Sequence, residues 1–211
     1  MDFQKKRNEL VDKIIQAGYL KTDTVIQAFR KIQRENFVLP EHKDYAYADE
    51  PLPIFKNQTI SQPSTVAIMT EALKAGKGNN ILEIGAGSGY QAAVLSEIVG
   101  TKGRVVTIER HNELAEFAKK NLIDRKNVVV IEGDGTLGYY EFAPYDRIIV
   151  TAEAPDIPKS LLDQLKDKGL LVIPIGNEMF IIEKKGNKIK KKSLGYFAFV
   201  PLVGKHGYGR A

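Results

Sequence analysis

The 211 residues contain no cysteine, which excludes disulfides and thiolate chemistry. Histidine is scarce as well: His42, His111 and His206 lie far apart in the chain, so no metal site is expected. No apolar run is long enough to span a membrane. The first residues, Met1-Asp-Phe-Gln-Lys-Lys-Arg7, are charged and lead into an amphipathic helix without the apolar core of a signal peptide, so a cytoplasmic location with no membrane partner is expected. Repeats, low-complexity stretches and Ser/Gly linkers are missing too, which makes one domain the simplest organisation. What is present suits a globular core, with 43% hydrophobic residues. The net charge of +5 owes much to Lys184, Lys185, Lys188, Lys190, Lys191 and Lys192. Such a run reads as the solvated face of a hairpin, so no nucleic-acid partner is expected.

The most informative segment is Ile81-Leu-Glu-Ile-Gly-Ala-Gly-Ser-Gly-Tyr90, an apolar strand that breaks into alternating glycines just after an acidic residue. Gly85, Gly87 and Gly89 let the backbone turn sharply and approach a ligand, and the helix predicted from about Tyr90 to Val99 turns its first amides toward the same place. The dinucleotide fingerprint G-x-G-x-x-G would need a third glycine where Tyr90 stands, so a pyrophosphate ligand is disfavoured. The spacing acidic-x-G-x-G-x-G is instead that of S-adenosylmethionine (SAM) enzymes, whose loop cradles the amino-acid end of the cofactor. A tight turn without a ligand is the plainer alternative.

Two further carboxylates follow at strand ends. Arg104-Val-Val-Thr-Ile-Glu109 reads as the next buried strand, and Glu109 falls about 20 residues after the turn, where an acidic side chain reads ribose hydroxyls. SAM and NAD share those hydroxyls, so Glu109 supports a nucleoside without separating the two; a solvated strand-end Glu is the alternative. The strand predicted over 127–132 ends in Gly133-Asp-Gly135, where Asp134 can offer its side chain to an adenine amino group, or can simply make a turn.

Helical periodicity dominates before residue 80, with stripes Leu10, Val11, Ile14, Ile15 and Val25, Ile26, Phe29, Ile32. Strand and helix then alternate over 81–84, 89–99, 104–109, 112–122, 127–132, 145–151, 158–165 and 170–175. This predicts an α/β fold with a mostly parallel sheet and helices on both faces. Ligands then sit at the carboxyl ends of the strands, where Glu83, Glu109 and Asp134 fall. Residues 179–185 and 188–202 read as antiparallel strands closing one sheet edge.

Upstream, Tyr45-Ala-Tyr-Ala-Asp-Glu-Pro-Leu-Pro-Ile54 and Gln58-Thr-Ile-Ser-Gln-Pro-Ser-Thr-Val-Ala67 are rich in turn formers and hydroxyls, and Pro63 suits the first turn of a helix predicted over 63–73. Here the chain resembles the protein-L-isoaspartate O-methyltransferase family, almost end to end. The matching blocks are Pro51-Leu-Pro-Ile54, Gln58-Thr-Ile-Ser-Gln-Pro63, Leu82-Glu-Ile-Gly-Ala-Gly-Ser-Gly-Tyr90, Gly133-Asp-Gly-Thr-Leu-Gly138, Ala143-Pro-Tyr-Asp-Arg-Ile-Ile-Val-Thr-Ala152, Leu171-Val-Ile-Pro-Ile-Gly176 and Val200-Pro-Leu-Val-Gly204.

The resemblance implies a Rossmann-like class I SAM-dependent methyltransferase with antiparallel carboxyl-terminal strands. It implies methyl transfer from SAM to the α-carboxylate of L-isoaspartyl residues in damaged proteins and peptides; the ester then closes to a succinimide, and S-adenosyl-L-homocysteine is the co-product. Thr59, Ile60 and Ser61 would line the reactive centre with Ser61 at the catalytic position, and these three with Glu83, Gly85, Gly87, Glu109, Asp134 and Gly135 would hold SAM. A monomer is expected, organised as an amino-terminal helical and active-site loop region (1–78), a SAM-binding core (79–178) and terminal strands and tail (179–211) of a single domain.

Ser61 has a local alternative, as a helix cap before Pro63. Two departures from the family pattern stand out. Phe55-Lys56-Asn57 occupies a place where the family often carries Gly-x-Gly before the Gln, which puts loop flexibility in question. Glu153 stands where alanine is usual, and an extra carboxylate there could repel an acidic substrate. Other classes fit less well: Tyr90 breaks the NAD spacing, Thr151-Ala-Glu-Ala-Pro155 lacks the Pro-Pro-aromatic run of nucleic-acid amino-methyltransferases, and a silent SAM-fold interaction protein would be expected to have lost the glycines or the block from Thr59 to Ser61.

Overall fold

In the computed structural model, which describes residues 2–209, two amphipathic helices come first: α1 (Phe3–Gln16) and α2 (Asp23–Lys31). The Asp2 carboxylate accepts from the Lys5 amide at 3.0 Å and so caps α1. Leu10, Val11, Ile14, Val25 and Phe29 are buried, and each contributes about 1.5–3 kcal/mol of burial free energy. Arg34 is fully buried beyond α2, and its guanidinium donates to the Ala46 carbonyl at 2.8 Å, fixing the loop that leads toward residues 52–61.

A two-stranded hairpin follows, β1 (Leu52–Pro53) with β2 (Thr59–Ile60). Helix α3 (Pro63–Leu73) then leads into the main sheet, built from β3 (Asn80–Ile84), β4 (Arg104–Glu109), β5 (Val128–Glu132), β6 (Tyr145–Val150), β7 (Leu165–Ile175), β8 (Glu178–Lys185) and β9 (Lys188–Tyr196). Their spatial order is β5-β4-β3-β6-β7-β8-β9; β3 to β7 run parallel, and β8 and β9 are antiparallel additions at one edge. The helices α4 (Tyr90–Val99), α5 (Asn112–Asn121) and α6 (Lys159–Gln164) make the crossovers. Successive residues of β3 serve opposite faces: Ile81 joins the apolar cluster containing α1 to α4, whereas Leu82 and Ile84 join the one containing Leu161 and Leu165. The first cluster runs from Leu10 to Met179 without interruption.

The chain reverses between β3 and β6. Strands β3 and β4 leave toward one side and β6 and β7 toward the other, so their carboxyl ends flank a crevice of the kind that binds ligands in open α/β sheets.

Three segments differ from the sequence expectation. The hairpin β1–β2 lies in what reads as an irregular stretch. Strand β7 starts at Leu165, not 170, because buried Leu165 pairs with Tyr145 directly after α6 while Lys168, at φ +60°, absorbs a register shift. Finally, β9 stops at Tyr196; the residues expected to continue it fold back over the crevice, with Pro201 bridging to Glu153 and Val203 to Tyr208.

Candidate active site

The crevice deepens into a cavity lined by Ser61, Glu83, Gly87, Glu109, Gly135 and Leu202, with neighbours on the same segments. The turn after β3 explains its shape. Gly85 has φ +95°, and a Cβ there would overlap the Thr151 hydroxyl, so this position needs glycine on both conformational and steric grounds. Gly87, at φ +53°, has among the described residues only the Ile54 side chain within contact range of a Cβ, so its backbone edge is open to the cavity. Cross-links to β4 hold the turn rigid: the Gly85 amide donates to the Ile108 carbonyl at 2.8 Å and the Gly87 amide to Glu109 Oε2 at 3.0 Å.

Glu109 therefore does two things. Its other oxygen, Oε1, accepts from the His111 amide at 3.0 Å, so the carboxylate joins the glycine turn to the start of α5 while facing the cavity. Each oxygen keeps acceptor capacity for a ligand hydroxyl.

Glu83 is different. It is fully buried and lines the cavity, and among the described residues neither carboxylate oxygen has a hydrogen-bond partner, nor does the buried Thr107 hydroxyl. Burial pushes the carboxyl up to about 8; the Thr107 hydroxyl pulls the other way, and the charge of Glu109 pushes it further up. An unpartnered buried carboxyl costs stability, so it marks a place where a cationic or donor group would be accommodated. Together with the open glycine edge and Glu109, it fits the ammonium, backbone and ribose groups of SAM.

Thr59 and Ile60 enter the cavity on β2, and Ser61 follows immediately. Ser61 does not cap α3. The N-cap position is Gln62, without a side-chain cap bond, and the Ser64 amide is taken by Asp49 Oδ1 at 2.8 Å. Among the described residues the Ser61 hydroxyl has no hydrogen-bond partner. The preceding loop keeps a glycine-type backbone without glycine. Lys56 and Asn57 both adopt left-handed backbone, at φ +59° and +55°, a conformation costing about 1–2 kcal/mol for a non-glycine residue and less for Asn. Contacts with α5 offset this: Phe55 packs edge-to-face on Phe117 at 5.3 Å, and Lys56 Nζ lies 2.8 Å from the Glu113 carboxylate.

Asp134 and Glu153 are occupied in ways the sequence does not announce. Asp134 Oδ1 accepts from the Thr136 amide and hydroxyl at 2.9 and 2.6 Å, and Oδ2 accepts from the Lys205 amide at 2.7 Å. Partial burial pushes this carboxyl up, but the bonds from the Thr136 hydroxyl and the Lys205 and Thr136 amides, with the nearby His206, hold it below the ordinary aspartate value. Its neighbour Gly135 lines the cavity; the Asp134 side chain faces the tail. Glu153 accepts from the Tyr208 hydroxyl at 2.8 Å, so its carboxylate is engaged by the tail as well.

Sequence reasoning overlooks several wall residues. Thr151, whose hydroxyl faces the Ile84 and Gly85 carbonyls at 3.0 and 2.9 Å, sits directly after β6 and was identifiable only as part of a family block. Val200, Pro201, Leu202 and Val203 form one side of the cavity, and His111 another part of the rim. Nothing in their spacing signals this, since the tail reaches the site by folding back.

The model of the protein-L-isoaspartate(D-aspartate) O-methyltransferase family matches residues 5–207. The protein-L-isoaspartate O-methyltransferase of Methanopyrus kandleri is 49% identical, covering 98% of this chain and 95% of its own; that of Methanococcus aeolicus is 51% identical, covering 97% of each. A solved protein-L-isoaspartate O-methyltransferase superposes with a TM-score of 0.87 at 34% identity, covering 95% of this chain and 67% of its own. A Plasmodium falciparum homologue of the same description, solved with S-adenosyl-L-homocysteine, gives 0.84 at 25% identity, covering 93% of this chain and 98% of its own. With a family match over nearly the whole chain and relatives at about half identity, the chain belongs to the protein-L-isoaspartate(D-aspartate) O-methyltransferase family.

Proposed function

We propose that this protein is a SAM-dependent protein-L-isoaspartate O-methyltransferase that esterifies the α-carboxylate of isoaspartyl residues, with Ser61 as the group that orients that carboxylate. The observation carrying this reading is one cavity holding an unpartnered Ser61 hydroxyl, the orphaned Glu83 carboxyl and the turn-bound Glu109 carboxylate. SAM bound in such a cavity supplies an electrophilic methyl group. Gly87 gives it an open backbone edge on the turn that Gly85 makes possible, Glu83 receives the ammonium, Glu109 accepts from the ribose hydroxyls, and Thr59, Ile60 and Gly135 complete the wall. Asp134 serves the adenine end through the backbone it fixes.

The attacking group needs no general base, because a carboxylate with a pKa near ~4 is already ionised at neutral pH. A carboxylate oxygen forms the new C–O bond while the sulfonium C–S bond breaks and its electron pair stays on sulfur. What the protein contributes is geometry: the Ser61 hydroxyl donates one hydrogen bond to the carboxylate and fixes one oxygen for displacement, a proximity effect and not covalent catalysis.

The finer assignments belong to the same proposal: a cytoplasmic monomer, acting on damaged proteins and isoaspartyl peptides without nucleic acid, with residues 1–78, 79–178 and 179–211 working as one domain. The uninterrupted cluster from Leu10 to Met179 supports the last point. The basic hairpin is partly spent within the fold, since Lys184 donates to the Leu162 and Leu165 carbonyls and Lys191 sits over the Phe180 ring. Among the described residues no helix is long and apolar enough to cross a membrane. The deciding assay is labelled methyl transfer from SAM to an isoaspartyl peptide beside its aspartyl twin. Methylation of the first alone is expected, and equal or absent labelling would sink the proposal.

A further inference from the structure

Residues 200–208 have no regular secondary structure, yet Val200 to Val203 among them form one wall of the cavity and the segment is tied down at both ends. At the β6 side, the Glu153 amide donates to the Val200 carbonyl at 2.8 Å and the Leu202 amide to the Glu153 carbonyl at 2.7 Å. The tail then loops round, and Tyr208 returns to the same spot: its amide donates to the Leu202 carbonyl at 2.8 Å and its hydroxyl to Glu153 Oε1 at 2.8 Å. At the β5 side, the Lys205 amide donates to Asp134 Oδ2 at 2.7 Å and the His206 amide to Thr136 Oγ1 at 3.1 Å. The approach there is close enough that a Cβ on Gly204 would overlap Asp134 Oδ1.

We propose that Glu153 and Tyr208 are positioning residues that latch residues 200–208 across the cavity before ligands arrive, with Asp134 securing the opposite end. The inference rests on the cavity being the methyl-transfer site. Among the described residues, Glu153 alone holds the tail by its amide, its carbonyl and its side chain together, so its carboxylate sets the tail's loop against the paired backbone. A tail released from that bond samples open arrangements, and ligand binding must then order it. That cost is drawn from binding and not from the step that follows, since the fully liganded complex has the same closed wall. Loss of the latch therefore raises KM and spares kcat.

The test uses the full chain and four variants: Tyr208→Phe, Glu153→Ala, Glu153→Gln and the double variant Glu153→Ala with Tyr208→Phe. Tyr208→Phe removes only a hydroxyl, so it retains the fold if the alanine variant does not. Losing one net hydrogen bond should raise KM for SAM and for an isoaspartyl peptide about tenfold, with kcat within about twofold. Glu153→Gln, whose amide oxygen still accepts from the tyrosine, should behave nearly as the parent protein. The double variant should be no worse than either single one. Hydrogen exchange by mass spectrometry should show faster exchange in 200–208 for Tyr208→Phe than for the parent, with α4 and β4 unchanged. Unchanged KM with unchanged exchange overturns the latch, as do additive effects in the double variant, a Glu153→Gln defect equal to that of alanine, or a fall in kcat at constant KM. If the parent protein fails to methylate isoaspartyl peptides, the functional proposal fails on its own account; the exchange comparison, which needs no turnover, still decides whether the latch exists.

Discussion

Asp49 Oδ1 accepts a hydrogen bond from the Ser64 amide at 2.8 Å, so the first turn of α3 is capped by a residue well outside the helix. This bond frees the residues between: Ser61 and Gln62 carry no capping duty and Ser61 is left to face the cavity. It also ties the loop held by Arg34 to the start of α3, since Arg34 grips Ala46 only three residues before Asp49 in the chain. Replacing Asp49 with alanine should cost about 0.5–2 kcal/mol, the range for a lost cap. Asp49→Asn, which keeps an acceptor oxygen, should lose less than the alanine variant. Denaturant unfolding of both variants measures the difference, and equal stability of Asp49→Ala and the parent protein would remove the cap.

Glu109 holds the Gly87 and His111 amides at 3.0 Å each and still faces the cavity, so its replacement strikes the glycine turn and the ligand together. Glu109→Ala should weaken SAM binding by about 1.5–3 kcal/mol, the range for hydrogen bonds to a charged group. Glu109→Gln keeps the shape and one acceptor, and should fall between the two. Calorimetric titration reads this directly; full SAM affinity in the alanine variant would make Glu109 only a brace for the turn.

Glu83 predicts two pH effects. Its folded value of about 8 lies above the ordinary 4.5, so the neutral form is favoured in the native state. Below 4.5 the group is protonated folded or unfolded, so its ionisation adds no cost. As pH rises from 4.5 to 8 the unfolded chain ionises first and stability falls, by at most ~1.4 kcal/mol per pH unit, and above 8 the effect levels off. Glu83→Gln should lack this slope, so the stability of the parent relative to the variant should decline across that window. A cationic ligand group beside Glu83 favours the ionised form, so SAM binding near neutral pH should release protons. Titrations in two buffers of different ionisation enthalpy count them. Equal heats in both buffers would mean that Glu83 keeps its proton.

The sequence is most readable where structure is local. Helices over 63–73 and 90–99 and the strand over 104–109 follow from apolar spacing, from Pro63 at a helix start and from the glycine turn before Tyr90, and the structure places α3, α4 and β4 there. The glycine turn, Glu83 and Glu109 converge on one cavity because parallel strands deliver their carboxyl ends to a common edge. What escapes is held by distant partners. Asp134 and Lys205 lie 71 residues apart and Glu153 and Tyr208 lie 55 apart, so no window of local periodicity contains either pair. For the same reason Glu153 reads as a loose charge in the sequence and as an anchored acceptor in the fold.

Ser61 offers the sharpest test, because its two readings predict opposite changes. As a cap it would contribute to stability; as an orienting group it would contribute to turnover. Asp49 already supplies the cap and the Ser61 hydroxyl has no partner among the described residues, so Ser61→Ala should leave the unfolding free energy unchanged within about 0.5 kcal/mol, the usual range for a change that breaks no structural bond. SAM affinity should also hold, since Glu83, Glu109 and the glycine turn remain. Single-turnover methylation of an isoaspartyl peptide should fall sharply, by about 10- to 100-fold, as expected when one hydrogen bond to a charged group is lost in the reacting complex. Ser61→Thr, which keeps a hydroxyl but adds a methyl group, should retain part of the rate. Measured side by side, a stable and slow alanine variant supports the orienting role. A variant that melts early but methylates at full rate per folded molecule would remove Ser61 from the chemistry and return it to the architecture of the loop.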